Sequence, residues 1–235
     1  MNTDEAVLAV DGGVPVRATF LPFHQPTLDA DDEQAVLEVL RSGWITTGPR
    51  TKAFERALAR YTGAARCVAV NSCTAALHLA LEAIGVGPGD EVITSPITFA
   101  STANVIVHRG ARPVFADVDA DTLNLDPAAL EAAITPRTKA IVPVDFAGQP
   151  CELDAIMAIA RGRGLVVIED AAHAIGAELD GRRIGSIADM TAFSFYATKN
   201  ITSGEGGALT TDREEWAERI QIMALHGISK DAWKR

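Results

Sequence analysis

The chain has 235 residues, 48% of them hydrophobic and 22% charged, a balance suited to an ordinary globular core. Lys and Arg total 21 against 31 Asp and Glu, a formal net charge of −10, which argues against a nucleic-acid or anionic-membrane partner, since both need a basic patch. The N-terminus carries Asp4, Glu5 and Asp11 where a secretory leader would be basic, and no apolar run approaches the ~20 residues of a membrane helix, so a cytoplasmic protein is expected.

Residues 1–30 read as an N-terminal arm ahead of one large domain, 31–235. An amphipathic helix is expected over 31–42, with Ala35, Val36, Val39 and Leu40 on one side, and a second over 52–61. A third helix, 74–84, follows a strand at 67–72 and is closed by Gly85 in the C′ position. Further strands are expected at 91–95, 113–118, 140–145, 165–169, 191–196 and 207–211. Between them lie helices at 127–134, opened by Asp126 and Pro127, and at 153–163, with Asp154 in the first turn. Several strands are almost wholly apolar, as strands buried on both faces of a parallel sheet must be. Alternation of such strands with helices predicts an α/β three-layer sandwich around a mostly parallel seven-stranded sheet. Cys67, Cys73 and Cys151 have neither metal nor redox spacing and read as buried or half-buried thiols.

In such a sheet, ligands bind beyond the carboxyl ends of the strands. The first strand ends in Asn71-Ser72-Cys73-Thr74-Ala75, where hydroxyls and first-turn N–H groups suit an anion; Ser72 or Thr74 would serve equally well as a plain helix cap. Phe99, after the second strand, is placed either to stack on a flat ring or to fill the core. Asp170 stands at the tip of the apolar run Val167-Ile168-Glu169, where a carboxylate could hold a proton on a pyridine nitrogen or simply cap a turn. His173 lies just beyond it. Lys199 sits between an apolar strand that includes Ser194 and the glycine-rich run Gly204-Glu205-Gly206-Gly207, a poor place for a purely solubilising charge. Each feature alone is weak; their joint occurrence at the carboxyl ends of one sheet points to one site.

These motifs, Ser42 to Pro49, Asn71 to His78, Val167 to Ala174 and Ser194 to Gly207, resemble those of the DegT/DnrJ-type nucleotide-sugar aminotransferases, whose fold is aspartate aminotransferase-like (fold type I). The resemblance implies pyridoxal 5′-phosphate (PLP) as cofactor, held as a Schiff base by Lys199, with Asp170 on the ring nitrogen. It further implies phosphate contacts from Thr74, Ala75 and Ser194, stacking by Phe99, and a contact from His173 on the opposite side. The segment 43–49 is implied to lie near the sugar. The expected reaction moves an amino group from an amino acid (glutamate in the family) to a nucleotide-linked keto sugar at C4, in a homodimer, for cell-surface polysaccharide or related amino-sugar synthesis. The alternatives are a sugar dehydratase of the same family, disfavoured by Lys199 where those relatives carry His, and a catalytically incomplete binding fragment. The family also carries a smaller C-terminal domain, which is expected to be absent from a chain ending at Arg235.

Overall fold

The computed structural model describes residues 7–228; the start of the N-terminal arm, including Asp4 and Glu5, and everything beyond 228 lie outside the described residues. Strands β1 (Arg66–Val70), β2 (Glu91–Thr94), β3 (Arg112–Phe115), β4 (Thr138–Val142), β5 (Val166–Asp170), β8 (Met190–Ser194) and β9 (Gly207–Thr211) form a seven-stranded sheet in the order β1-β9-β8-β5-β4-β2-β3. All its pairings are parallel except those of β9, which runs antiparallel to both β1 and β8. The mostly parallel sheet expected from the sequence is therefore present.

Helices cover both faces. On one side Leu77, Leu81, Ile106 and Ile220, from α3 (Cys73–Ala83), α4 (Ala100–His108) and α7 (Glu214–Ala224), pack on Val92, Ile168 and Leu209. On the other, Leu58, Leu130 and Ile156, from α2 (Pro49–Thr62), α5 (Pro127–Ala133) and α6 (Leu153–Arg163), pack on Ile93, Val167 and Phe193. Adjacent strand residues alternate between the two cores, and each fully buried Leu, Ile or Phe contributes about 1.5–3 kcal/mol relative to exposure.

Several expectations need correction. Helices α4 and α7 were not anticipated. The first is rich in β-branched residues, which are weak helix formers, and tertiary packing overrides that preference. The second carried the usual signals, Glu214 and Glu215 in its first turn and Trp216, Ile220 and Met223 at helical spacing. A small hairpin, β6 (Glu178–Leu179) with β7 (Arg182–Arg183), was also missed, although its turn is Asp180-Gly181 with both φ values positive, at 49° and 74°. The strands expected to run to 118, 145 and 196 stop earlier, at Phe115, Val142 and Ser194. For β4 the cause is Pro143, which has no N–H to give the ladder. Helix α1 (Ala30–Ser42) forms with a full capping box on Asp29, yet Val36 and Leu40 of its expected core face are 61% and 59% exposed.

Candidate cofactor site

The first corner of the site is the N-terminus of α3. Ser72 is the N-cap, and its Oγ accepts the N–H of Ala75 at 3.1 Å. The capping role and the anion site therefore coexist: Ala75 N–H is engaged by Ser72, while Cys73 and Thr74 N–H have no intrahelical acceptor and Thr74 is exposed. The start of β9 presses on this turn so closely that a Cβ at Gly207 would overlap Ser72 C and Cys73 N. Gly207 pairs with Ser194 of β8 and Val70 of β1, which sets the buried Ser194 hydroxyl beside the helix end. Close backbone approach, free N–H groups and hydroxyls together fit a phosphate.

The second corner is Asp170, 4% exposed at the end of β5. Thr102 Oγ1 donates to Oδ2 at 2.8 Å, and Oδ1 accepts Ala172 N–H at 3.3 Å and Cys73 Sγ–H at 3.7 Å. All three donors are neutral. Burial pushes this carboxyl above the ordinary 3.8, against the pull of those hydrogen bonds and of His173. A buried acid served only by neutral donors is suited to receive a cation, such as a protonated ring nitrogen.

Lys199 lies in the turn after β8, its N–H donating to Tyr196 O at 2.9 Å. Asn200 Nδ2 donates to Ile175 O at 3.0 Å, tying this turn to the segment that follows Asp170. The lysine is half-buried, and its charge reaches both His173 and Cys73. Burial first, and then Lys199, push the His173 imidazole below 6.5, towards its neutral form. Phe99, the N-cap residue of α4, is 79% exposed, so it does not fill the core; its carbonyl oxygen lies 3.1 Å from Thr102 Oγ1.

Lys199, Asp170, His173, Phe99, Thr74, Ala75 and Ser194 thus lie at one end of one sheet, linked through α3, α4 and the turns after β5 and β8. The segment 43–49 is not tied to them by any hydrogen bond among the described residues; Trp44 Nε1 donates locally, to Thr47 O at 3.0 Å. Thr102 and Cys73, both touching Asp170, were missed as site residues. Thr102 lies in the unanticipated helix α4, whereas Cys73 stands inside the motif that had been singled out.

Residues 26–235 match the DegT/DnrJ/EryC1/StrS aminotransferase family. The chain belongs to this family. Among its relatives, the spore coat polysaccharide biosynthesis protein SpsC of Bacillus subtilis (strain 168) is 60% identical over 222 residues, which are 94% of this chain and 57% of that protein. A Streptococcus pneumoniae protein described as a sugar aminotransferase, Spr1654 in its PMP form, superposes with a TM-score of 0.87 at 43% identity, covering 91% of this chain and 59% of that one. Helicobacter pylori PseC, an aminotransferase involved in pseudoaminic acid biosynthesis, gives 0.84 at 39% identity, over 89% and 57%. This chain therefore spans 57% of SpsC and 59% of Spr1654. Its sheet and flanking layers have the fold-type-I architecture of these DegT/DnrJ relatives. No described helix is long and apolar enough to cross a membrane.

Proposed function

We propose that residues 31–235 are the cofactor-binding large domain, and 1–30 the arm, of a PLP-dependent aminotransferase. It moves an amino group from an amino acid, with glutamate as donor, to a nucleotide-linked keto sugar at C4. The full-length protein acts as a homodimer in the synthesis of cell-surface polysaccharide or related amino sugars. The observation that carries this reading is Asp170, buried at the end of β5 with only neutral hydrogen-bond donors among the described residues and with the Lys199 turn fastened beside it. Family membership and the spore coat polysaccharide relative support the reaction class and the setting.

When bound, PLP supplies an electron-withdrawing ring able to accept the electron pair left at a substrate carbon by proton removal. Thr74, Ser194 and the first-turn N–H groups of α3 hold the phosphate. Asp170, ionised against the ring nitrogen, keeps that nitrogen protonated. Phe99 and the His173 imidazole would flank the ring and exclude water. Lys199 Nζ would hold the cofactor through its aldehyde carbon and, when freed, would be the group that moves a proton from the amino donor's α-carbon. The same lysine would serve the proton movements needed to aminate the keto sugar. A positioned acid–base group of this kind is worth ~10²–10⁴ in rate.

The test is to load the protein with PLP, reduce it with borohydride and map the modified peptide. Label at Lys199 alone is expected, and label at any other lysine of a folded sample overturns the assignment. Amino transfer from glutamate should then be faster to a 4-keto than to a 3-keto nucleotide sugar; the reverse preference overturns the C4 position.

A further inference from the structure

Behind Asp170, on the opposite face of the sheet, lies a second buried acid pair that the mechanism above does not use. Glu169 and Asp170 are successive residues of β5, so their side chains point to opposite faces. Glu169 is 0% exposed and Asp145, just past β4, is 1% exposed. Asp145 N–H donates to Asp170 O at 3.1 Å, and Asp170 N–H to Pro143 O at 2.9 Å, so the pair and the ring-facing acid share one short piece of backbone. Asp145 Oδ1 accepts Cys151 N–H at 3.0 Å, and Glu169 Oε2 accepts the Thr191 hydroxyl at 2.7 Å. The remaining oxygens, Asp145 Oδ2 and Glu169 Oε1, have no donor of their own.

Two unserved carboxyl oxygens on adjacent segments, in a site closed to water, would each carry a desolvation cost. One proton between them satisfies both. Each carboxyl acts on the acidity of the other, as close neighbours do. The geometry also indicates where the proton sits. Asp145 accepts a backbone N–H, which favours its charged form, whereas Glu169 accepts only a hydroxyl.

We propose that Glu169 is a neutral acid donating its proton to Asp145, and that the single negative charge left on Asp145 is a fixed electrostatic support behind Asp170, raising the proton affinity of the groups Asp170 faces. This rests on the reading of Asp170 as the ring-nitrogen partner. Glu169 and Asp145 are then positioning residues, not catalytic ones. The acidities agree: burial, with the charge of Asp145, pushes Glu169 well above 4.5, while burial lifts Asp145 only to about 6, leaving it ionised at neutral pH. The other titratable groups around the pair are Cys151, itself pushed up by burial, and Asp170; around Asp170 stand Cys73 and His173, with Lys199 acting on both.

The substitutions separate charge from hydrogen bonding. Glu169→Gln keeps a donor towards Asp145 and an acceptor for Thr191, and leaves the pair at one negative charge. Asp145→Asn keeps an acceptor for Cys151 but removes the charge. Infrared spectra of the wild-type protein without cofactor, at neutral pH in H2O and D2O, should contain the C=O band of a buried protonated carboxyl, shifting on exchange. That band should be lost in Glu169→Gln and retained in Asp145→Asn. Its absence from the wild type, or its survival in Glu169→Gln, overturns the shared proton and needs no cofactor. With PLP bound, the pH titration of the lysine-bound cofactor's absorbance should be unchanged in Glu169→Gln. In Asp145→Asn its midpoint should fall by about one pH unit, a tenfold change in the proton equilibrium, because removing a negative charge disfavours the protonated form. Equal shifts in both variants, or none in Asp145→Asn, overturn the support role. If the wild type forms no lysine-bound absorbance at all, the reading of the cofactor site fails, while the infrared result still decides the proton.

Discussion

Two buried carboxylates at opposite ends of the sheet have opposite surroundings. Glu91 opens β2 at the amino-terminal end, 0% exposed; Thr135 Oγ1 donates to its Oε2 at 2.5 Å, and Arg112 and Arg137 donate to Oε1 at 2.6 and 2.5 Å. The Thr135 hydroxyl and the two guanidinium groups hold it well down, to about 2. Asp170 closes β5 at the other end, with only neutral hydrogen-bond donors, and burial pushes it up. A carboxylate supplied with cations belongs to the scaffold. Asp170, buried without them, is open to something that arrives later.

The sharpest way to break this comparison is Asp170→Asn. With glutamate as donor, kcat/KM should fall by roughly 10²–10³, the usual cost of losing one preorganised electrostatic partner. The cofactor-free variant should nevertheless have a higher Tm than wild type at neutral pH. A carboxyl raised when folded contributes stability below its ordinary 3.8 and loses it as pH rises through the raised value, so the wild type carries that penalty at neutrality. A lower Tm for the cofactor-free variant would put Asp170 with the scaffold acids.

Glu91→Gln should do the reverse, lowering Tm clearly while leaving kcat intact at permissive temperature. Because Glu91 is depressed when folded, its contribution is present above 4.5 and lost as pH falls towards about 2; acid unfolding followed by circular dichroism should therefore be steeper over that window in wild type than in the variant.

Thr102→Val tests the supply of neutral donors at the other end. Loss of the 2.8 Å hydrogen bond leaves Asp170 Oδ2 without its closest donor, disfavours the ionised acid, and should weaken PLP affinity by about tenfold in equilibrium titration. Phe99→Ala should have the smallest effect: about 0.5–1.5 kcal/mol of ring contact, read as a several-fold rise in the PLP dissociation constant. Tm should be unchanged, because Phe99 is 79% exposed and supports no core.

The legible part of the molecule was the part that repeats simple physics. Apolar strand runs marked both faces of the sheet as covered, and the strand-end rule directed attention to Asp170 and Lys199 before any contact was known. Local signals could not say whether Ser72 caps or Phe99 fills the core. Ser72 caps while the neighbouring N–H groups remain available, and Phe99 does not enter the core. Thr102 was illegible because its helix is a product of packing, built from Thr, Val and Ile that prefer strands. Glu169 was read only as part of a motif, since the meaning of a buried acid lies in a partner distant in sequence, here Asp145 just past β4.

The sheet order has a consequence for the history of each molecule. Among the described strands of the sheet β1 is the first made and sits at an edge, and its neighbour, β9, is the last, with Arg66 paired to Thr211. A chain emerging from the ribosome therefore holds an unpaired strand and an open helix end until residue 211 is free to slot between β1 and β8. Gly207 reaches the turn at Ser72 in that same closing step, paired with Ser194. Within this sheet the phosphate corner is thus finished with β9, and cofactor capture should follow the docking of that strand.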